Sequence, residues 1–244
     1  VSTTEYKGTD GTLYAPTGTR MMYVNREPRF YVDITFSNSK WFDGTEGDYI
    51  VDFTYSGSCG KEQGSNDYTS TGYLVRKGMD SGDRNQNLVC VLLRLTNIYF
   101  DYIEALAHVS PTHEDIWTYM NMIRKRAGIP GYGETVNLPK PTTTEEVMEL
   151  IRKEKRIELS FENCRYFDVR RWMTANDANN PYDQQITRSG MDMTQPNQGV
   201  GVGSFFNRVV LERRAWTRAM LLYPIPYTEI QRSPGKILIQ NPLW

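Results

Sequence analysis

The stretch Leu88-Val-Cys-Val-Leu-Leu-Arg-Leu-Thr-Asn-Ile-Tyr-Phe-Asp-Tyr-Ile-Glu-Ala-Leu-Ala-His108 decides the fold class. Leu88, Leu92, Leu95, Tyr99, Tyr102 and Leu106 step by 4, 3, 4, 3 and 4, which lays one apolar stripe along an α-helix. Just beyond it, Thr112 followed three residues later by Asp115 resembles a capping box. Ile116, Tyr119, Met120, Ile123 and Ala127 then carry a second helix up to Gly128 and Pro130. The short link Val109 to Thr112 makes the two antiparallel neighbours, so residues 88–127 are expected to form a helical hairpin of the kind stacked in repeat proteins. Further on, Thr143 with Glu146 starts a third helix through Val147, Leu150, Ile151, Ile157 and Phe161. Tyr166, Phe167, Val169 and Trp172 mark a short fourth, which extends the helical segment over 143–174.

Upstream the period changes to two. Phe30, Val32, Ile34 and Phe36 alternate with polar neighbours, and Tyr49, Val51, Phe53 and Tyr55 do the same, which predicts a β-hairpin over residues 30–55 joined by a loop from Ser37 to Asp48. Residues 56–87 and 175–207 are rich in Gly, Ser, Asn and Asp, show no sustained period and read as coil. Coils of such length are uncommon in an independent domain. They imply a part of a larger, mainly α fold, with further helices for the hairpin to stack on.

Composition limits the chemistry. With 28 basic and 29 acidic side chains the net charge is -1, and nothing draws in a polyanion, so nucleic acid is not an expected partner. The charged block from Glu145 to Trp172 holds seven bases against seven acids and reads as a solvated or interlocked structural face. Three cysteines without CxxC spacing and two histidines, His108 and His113, without HExxH predict neither a disulfide framework nor a metal site. Gly199-Val-Gly-Val-Gly203 lacks the spacing of a dinucleotide loop, and no cofactor is expected. Asp33, Asp43, Glu46 and Asp48 keep a glycoside hydrolase open as an alternative, since such an enzyme needs two carboxylates flanking one bond. The sequence opens at Val1 with neither a charged n-region nor an apolar h-region, so any secretory or lipid-attachment signal is expected upstream of it.

Aromatic residues reach 12%, with 16 tyrosines among them. Trp41-Phe42-Asp43-Gly44 places two rings in a polar loop where strand periodicity does not ask for them. A flat ring beside a carboxylate suits the C–H face and hydroxyls of a sugar. The competing reading folds Trp41 back onto the protein body. Trp41, Phe42 and Asp43, with Tyr14 and Tyr23 from the Gly- and Thr-rich lead, are the candidate ligand-binding residues, and no catalytic residue is assigned.

Six segments in order resemble one family, the SusD/RagB outer-membrane nutrient-binding lipoproteins of Bacteroidetes. They are Asn25-Arg-Glu-Pro-Arg-Phe30; Leu92-Leu-Arg-Leu95 with Tyr99 and Glu104-Ala-Leu106; Ile123-Arg-Lys-Arg-Ala-Gly-Ile-Pro130; Ile151-Arg-Lys-Glu-Lys-Arg-Ile-Glu-Leu159 with Phe161-Glu162; Arg165-Tyr-Phe-Asp-Val-Arg-Arg-Trp172; and Leu222-Tyr-Pro-Ile-Pro226 with Asn241-Pro-Leu-Trp244. A Gly-His-like pair usual in that family is Asn163-Cys164 here. The resemblance covers residues 1–244 and implies the C-terminal portion of a single SusD/RagB-like fold. That fold is mainly α, with TPR-like helical hairpins, long irregular loops and a small β-hairpin. It implies a non-catalytic subunit on the extracellular face of the outer membrane, anchored through a lipidated N-terminal Cys that this sequence does not contain. It further implies an oligosaccharide or peptide ligand, a SusC-like TonB-dependent transporter as partner, and an N-terminal half of the same protein. A RagB-like peptide-binding subunit, a secreted hydrolase and a helical scaffold that binds only protein are the alternatives. No binding residue transfers by motif.

Overall fold

The computed structural model describes all residues except 10, 45–46, 64–67, 79–90, 176–186 and 198, and for 42–44, 47–48, 63 and 236 it describes the backbone alone. In chain order the elements are β1 Tyr6–Lys7, β2 Leu13–Ala15, α1 Pro28–Asp33, β3 Ile34–Phe36, β4 Lys40–Gly44, β5 Gly47–Ile50, β6 Tyr73–Val75, α2 Leu95–Val109, α3 Glu114–Arg126, α4 Thr144–Glu158, α5 Arg165–Arg171, β7 Thr187–Met191, β8 Arg208–Arg213 and α6 Tyr227–Arg232. The chain divides into two units, one of residues 1–162 and 191–207, the other of residues 163–190 and 208–244. Among the described residues no helix is long and apolar enough to cross a membrane.

In the first unit, α2 packs against α3 and α4. Phe100, Ile103 and Ala107 of α2 are buried, as are Ile116, Trp117, Met120 and Ile123 of α3 and Val147, Met148 and Ile151 of α4. The helical hairpin is therefore present, but its inner face is not the stripe the sequence suggests. Leu92 is 91% exposed, and Leu95 and Tyr102 are exposed as well, while Tyr99 and Leu106 are half-buried. Phe100, Ile103 and Ala107 step by 3 and 4 too, so the helix has two apolar faces and periodicity alone does not choose between them. Leu88 lies outside the described residues. The helix starts at Leu95, where the Arg94 backbone N–H donates to Asn97 Oδ1 at 3.1 Å.

Both caps of the next helices are side-chain oxygen or nitrogen acceptors, as a first turn requires. Thr143 Oγ1 accepts from the Glu146 N–H and donates to the Glu146 carboxylate at 2.7 Å, so Thr143 is the expected N-cap, its partner carboxylate bound to the hydroxyl rather than to the Thr143 backbone N–H. In α3 the cap is His113, whose Nδ1 accepts from the Asp115 N–H at 3.2 Å, one residue later than Thr112. Gly128 ends α3 with φ 73°, a left-handed turn that glycine takes without steric cost.

The β region corrects the alternation reading. Residues 28–33 are helical, not extended, because Pro28 at the first helical position presets φ. Arg29 and Asp33, four apart, both turn inward, whereas Val32 is exposed. Only Ile34–Phe36 is strand, and it pairs antiparallel with Tyr73–Val75 from a tract read as coil. The hairpin inside 30–55 is β4 with β5, Asp43 facing Asp48, so Trp41 and Phe42 lie in a strand rather than a loop. After Ile50 the chain stays tied to its partner through Val51 N–H to Ser39 O at 2.9 Å and Asn38 N–H to Val51 O at 2.6 Å. Val51 and Phe53 are buried, and Met191, Met193 and Phe205 from the second supposed coil complete their cluster.

The charged block of α4 is an interlock within the first unit. Glu154 pairs with Arg29 at 2.7 Å and Arg124 at 2.6 Å. Glu158 meets Arg29 at 3.0 Å and Arg94 at 2.9 Å, with Arg126 also on its carboxylate. Glu162 takes both arms of Arg94, at 2.7 and 2.8 Å, and Lys77 at 2.8 Å. Burial alone would push the Glu162 carboxyl up, but hydrogen bonds from Arg94 and Lys77 outweigh it and hold it below the usual carboxylate range. For Asp33 burial wins, and its carboxyl is raised despite Lys77 at 3.5 Å.

In the second unit β7 pairs with β8, and α5 buries Asp168 and Val169. The chain enters this unit through Asn163, which has φ 62°. That left-handed geometry explains why a glycine suits the position and why Asn, the best tolerated alternative, stands there. Asn163→Gly is expected to raise stability by about 1 kcal/mol and Asn163→Val to lower it by about as much, read from urea midpoints at unchanged slope.

Candidate functional site

The aromatic excess of the sequence converges on two adjoining clusters in the first unit. Tyr23, Tyr31 and Phe36 form the centre of one, with Tyr6, Tyr14, Phe30, Tyr73 and Phe206 packed against it. Val51, Phe53, Met191, Met193 and Phe205 form the other, with Trp41, Cys59, Tyr68, Tyr73 and Phe206 on its flank. Tyr73 and Phe206 belong to both, so the rings make one continuous body. Apolar burial on this scale holds the short strand pairs together, since an isolated two-stranded hairpin is marginal in water.

The candidate residues divide within it. Tyr23 is only 1% exposed: its hydroxyl lies 3.2 Å from that of Tyr73, and its ring packs 4.7 Å from Phe36. Burial and the neighbouring Tyr73 push its hydroxyl far up. Tyr23 is thus a core residue of this cluster, its ring packed inside the protein. Tyr14 is half-buried and stacks on Tyr31 with centroids 4.6 Å apart and planes 1° from parallel. One face of Tyr14 is used by Tyr31, and Tyr6 lies beside it at 6.0 Å. Trp41 is half-buried on the flank of the second cluster. The side chains of Phe42 and Asp43 lie outside the described residues, as do those of Glu46 and Asp48.

Sequence reasoning missed the rest of this flank. Tyr68 and Cys59 share the Trp41 cluster, and Lys61 Nζ stands 5.7 Å from the Tyr68 ring centroid. Tyr49 is exposed, and its hydroxyl lies 3.6 Å from Cys59 Sγ. The turn that carries Cys59 is built on Asp52, whose Oδ1 accepts from the Thr54 N–H, the Thr54 hydroxyl and the Ser37 hydroxyl at 2.9, 2.7 and 3.0 Å. The Cys59 N–H returns to Asp52 O at 2.9 Å. Partly exposed rings, a phenol hydroxyl and an ammonium held on a rigid core can stack on a sugar and hydrogen-bond its hydroxyls. Among the described residues, no three His, Cys, Asp or Glu side chains converge as a metal site would need. The buried carboxylates Glu154 and Glu158 are committed to arginines.

Comparison with known proteins fixes the setting of this surface. The model of the SusD family matches residues 4–244. The chain belongs to the SusD family. A SusD-like protein from Bacteroides fragilis NCTC 9343, known from its crystal structure, is 30% identical and superposes with a TM-score of 0.71 over 98% of this chain and 45% of its own. SusD-like protein P2 of Formosa agariphila is 28% identical over 90 residues, 36% of this chain and 18% of that protein. The mainly helical architecture with small antiparallel strand pairs is that of the SusD family, whose helical hairpins are TPR-like. The chain spans less than half the length of the solved SusD-like structure that it matches.

Proposed function

We propose that this chain is the C-terminal portion of a non-catalytic glycan-capture protein. The whole protein is held on the extracellular face of the outer membrane by a lipidated N-terminal region and passes oligosaccharide to a SusC-like TonB-dependent transporter. The observation that carries the reading is the aromatic flank of Trp41 and Tyr68, with Tyr49 beside Cys59, in a chain of the SusD family. No reaction is required of such a surface: stacking and hydrogen bonds hold a sugar without touching its bonds, and no cofactor is needed. The exposed face of α2, with Leu95, Ile98 and Tyr102, supports an N-terminal half of the same protein as the partner that covers it.

Affinity electrophoresis of the full-length protein through gels containing polysaccharide tests the reading, with a peptide pool as the competing ligand. Because Trp41 packs on the core, Trp41→Phe is the informative variant alongside Trp41→Ala. The phenyl ring keeps most of the packing and gives up stacking area. Retardation is expected to weaken by about tenfold for Trp41→Ala and by less for Trp41→Phe. Equal retardation of wild type and both variants would discard Trp41 as a ligand contact. Capture of peptide and not of glycan would transfer the role to a RagB-like peptide subunit.

A further inference from the structure

We propose that Arg170 anchors a second saccharide site, in the unit of residues 163–190 and 208–244, which takes a sugar bearing a carboxylate, such as a hexuronic acid. Arg170 sits on α5, and its guanidinium carbon lies 3.4 Å from the ring centroid of Tyr166 and 5.1 Å from that of Trp216. Its Nε donates to Met220 O at 3.1 Å and its Nη1 to Tyr166 O at 2.9 Å. Two backbone carbonyls and two rings therefore fix the plane of the cation. They do not neutralise it. The next residue, Arg171, has the carboxylate of Asp168 at 3.1 Å, whereas among the described residues no carboxylate pairs with Arg170. A guanidinium has five N–H donors, and the two bonds leave three for another acceptor.

A half-buried, preorganised guanidinium that no described residue supplies with a counter-charge is the group that carboxylates bind through paired charge-assisted hydrogen bonds. Its surroundings select among carboxylates. Tyr223, 64% exposed, lies with its ring 5.9 Å from Tyr166, and Trp216 is half-buried. This ring surface beside a fixed cation offers a sugar's C–H face a platform while its carboxylate reaches Arg170, which an extended acidic peptide would not use. The choice of a saccharide rests on the glycan-capture reading above, but the site uses none of the residues of the Trp41 flank.

The test is calorimetric titration of the full-length protein with oligogalacturonate and oligomannuronate, with a neutral galactose oligomer and a Glu-rich peptide as controls. One of the uronates is expected to bind about tenfold to a hundredfold more weakly to Arg170→Gln, with Arg170→Lys restoring only part because lysine lacks the fork. The neutral oligomer should not distinguish these variants. Tyr223→Ala changes an exposed ring and keeps Arg170, so it decides the matter if Arg170→Gln fails to fold, with a loss of several-fold in uronate affinity expected. Uronate binding unchanged in the folded variants, binding of the neutral oligomer alone, or preference for the Glu-rich peptide would overturn the inference and leave glycan capture at Trp41 standing or falling on its own test. Absence of binding to any saccharide would overturn both.

Discussion

Replacing Glu158 with Gln is expected to lower stability by about 3–5 kcal/mol, the range for breaking a buried ion pair from one side. Glu158 is 1% exposed, and its carboxylate faces Arg29, Arg94 and Arg126. Its backbone carbonyl accepts from Lys77 Nζ at 2.6 Å and from Arg94 Nη2 at 3.0 Å, so the cations converge on one helix end whatever the side chain. Gln would keep the shape and remove the charge. Arg29 would keep Glu154 and Arg94 would keep Glu162, but both would face a neutral amide where a buried carboxylate had stood, and the lost attraction inside the network is the source of the loss. Glu149→Gln, on the exposed side of the same helix, is the control and should stay within about 0.5 kcal/mol. Urea unfolding followed by circular dichroism measures both. A loss below about 1 kcal/mol at Glu158 would mean that water reaches the network and screens it.

This network shows what the sequence conceals. The even balance of charge over Glu145 to Trp172 is legible, and so is the helix N-cap at Thr143. The partners are not: Arg29 lies 129 residues from Glu158, and nothing local marks it as buried. The same limit decided α1. Alternating Phe30, Val32, Ile34 and Phe36 looks like a strand, yet Arg29 and Asp33 belong to a helical face whose reward is long-range ion pairing, and long-range pairing overrides local pattern. In α2 the helix itself was legible and its inward face was not, since both faces are apolar. The aromatic flank was legible only at Trp41. Tyr68 stands in an aperiodic tract, and Met191, Met193 and Phe205 lie in a polar, Gly-containing one, so no window statistic reveals that they share a core. Tyr23 shows the converse, a tyrosine in a turn-rich lead whose ring lies inside the protein.

The second large effect is expected at Gly60. A Cβ there would lie 2.0 Å from Thr54 O and 2.5 Å from Tyr55 O, both backbone atoms, so no side-chain rotation can relieve the overlap. The turn cannot simply open, because it is held by the Asp52 carboxylate, by Cys59 N–H to Asp52 O and by Glu62 N–H to Tyr55 O at 2.9 Å. Gly60→Ala should cost about 3 kcal/mol, the upper end for forcing extra volume into a packed place. Its functional effect should exceed the stability effect in interest: the displaced turn carries Cys59, which packs beside Trp41 and Tyr68 on the same cluster. Glycan retardation should therefore fall in Gly60→Ala even at temperatures where the protein remains folded. Gly78→Ala provides the comparison, since a Cβ there meets nothing within 4 Å and the substitution adds only the strain of a left-handed φ of 77°. A Gly60→Ala protein with wild-type retardation and a lowered melting temperature would separate the turn from the ligand surface and move the capture site away from this flank. Loss of both together, with Gly78→Ala retaining its glycan, would tie the rigidity of the Asp52 turn to recognition, the result the packing around Trp41 leads us to expect.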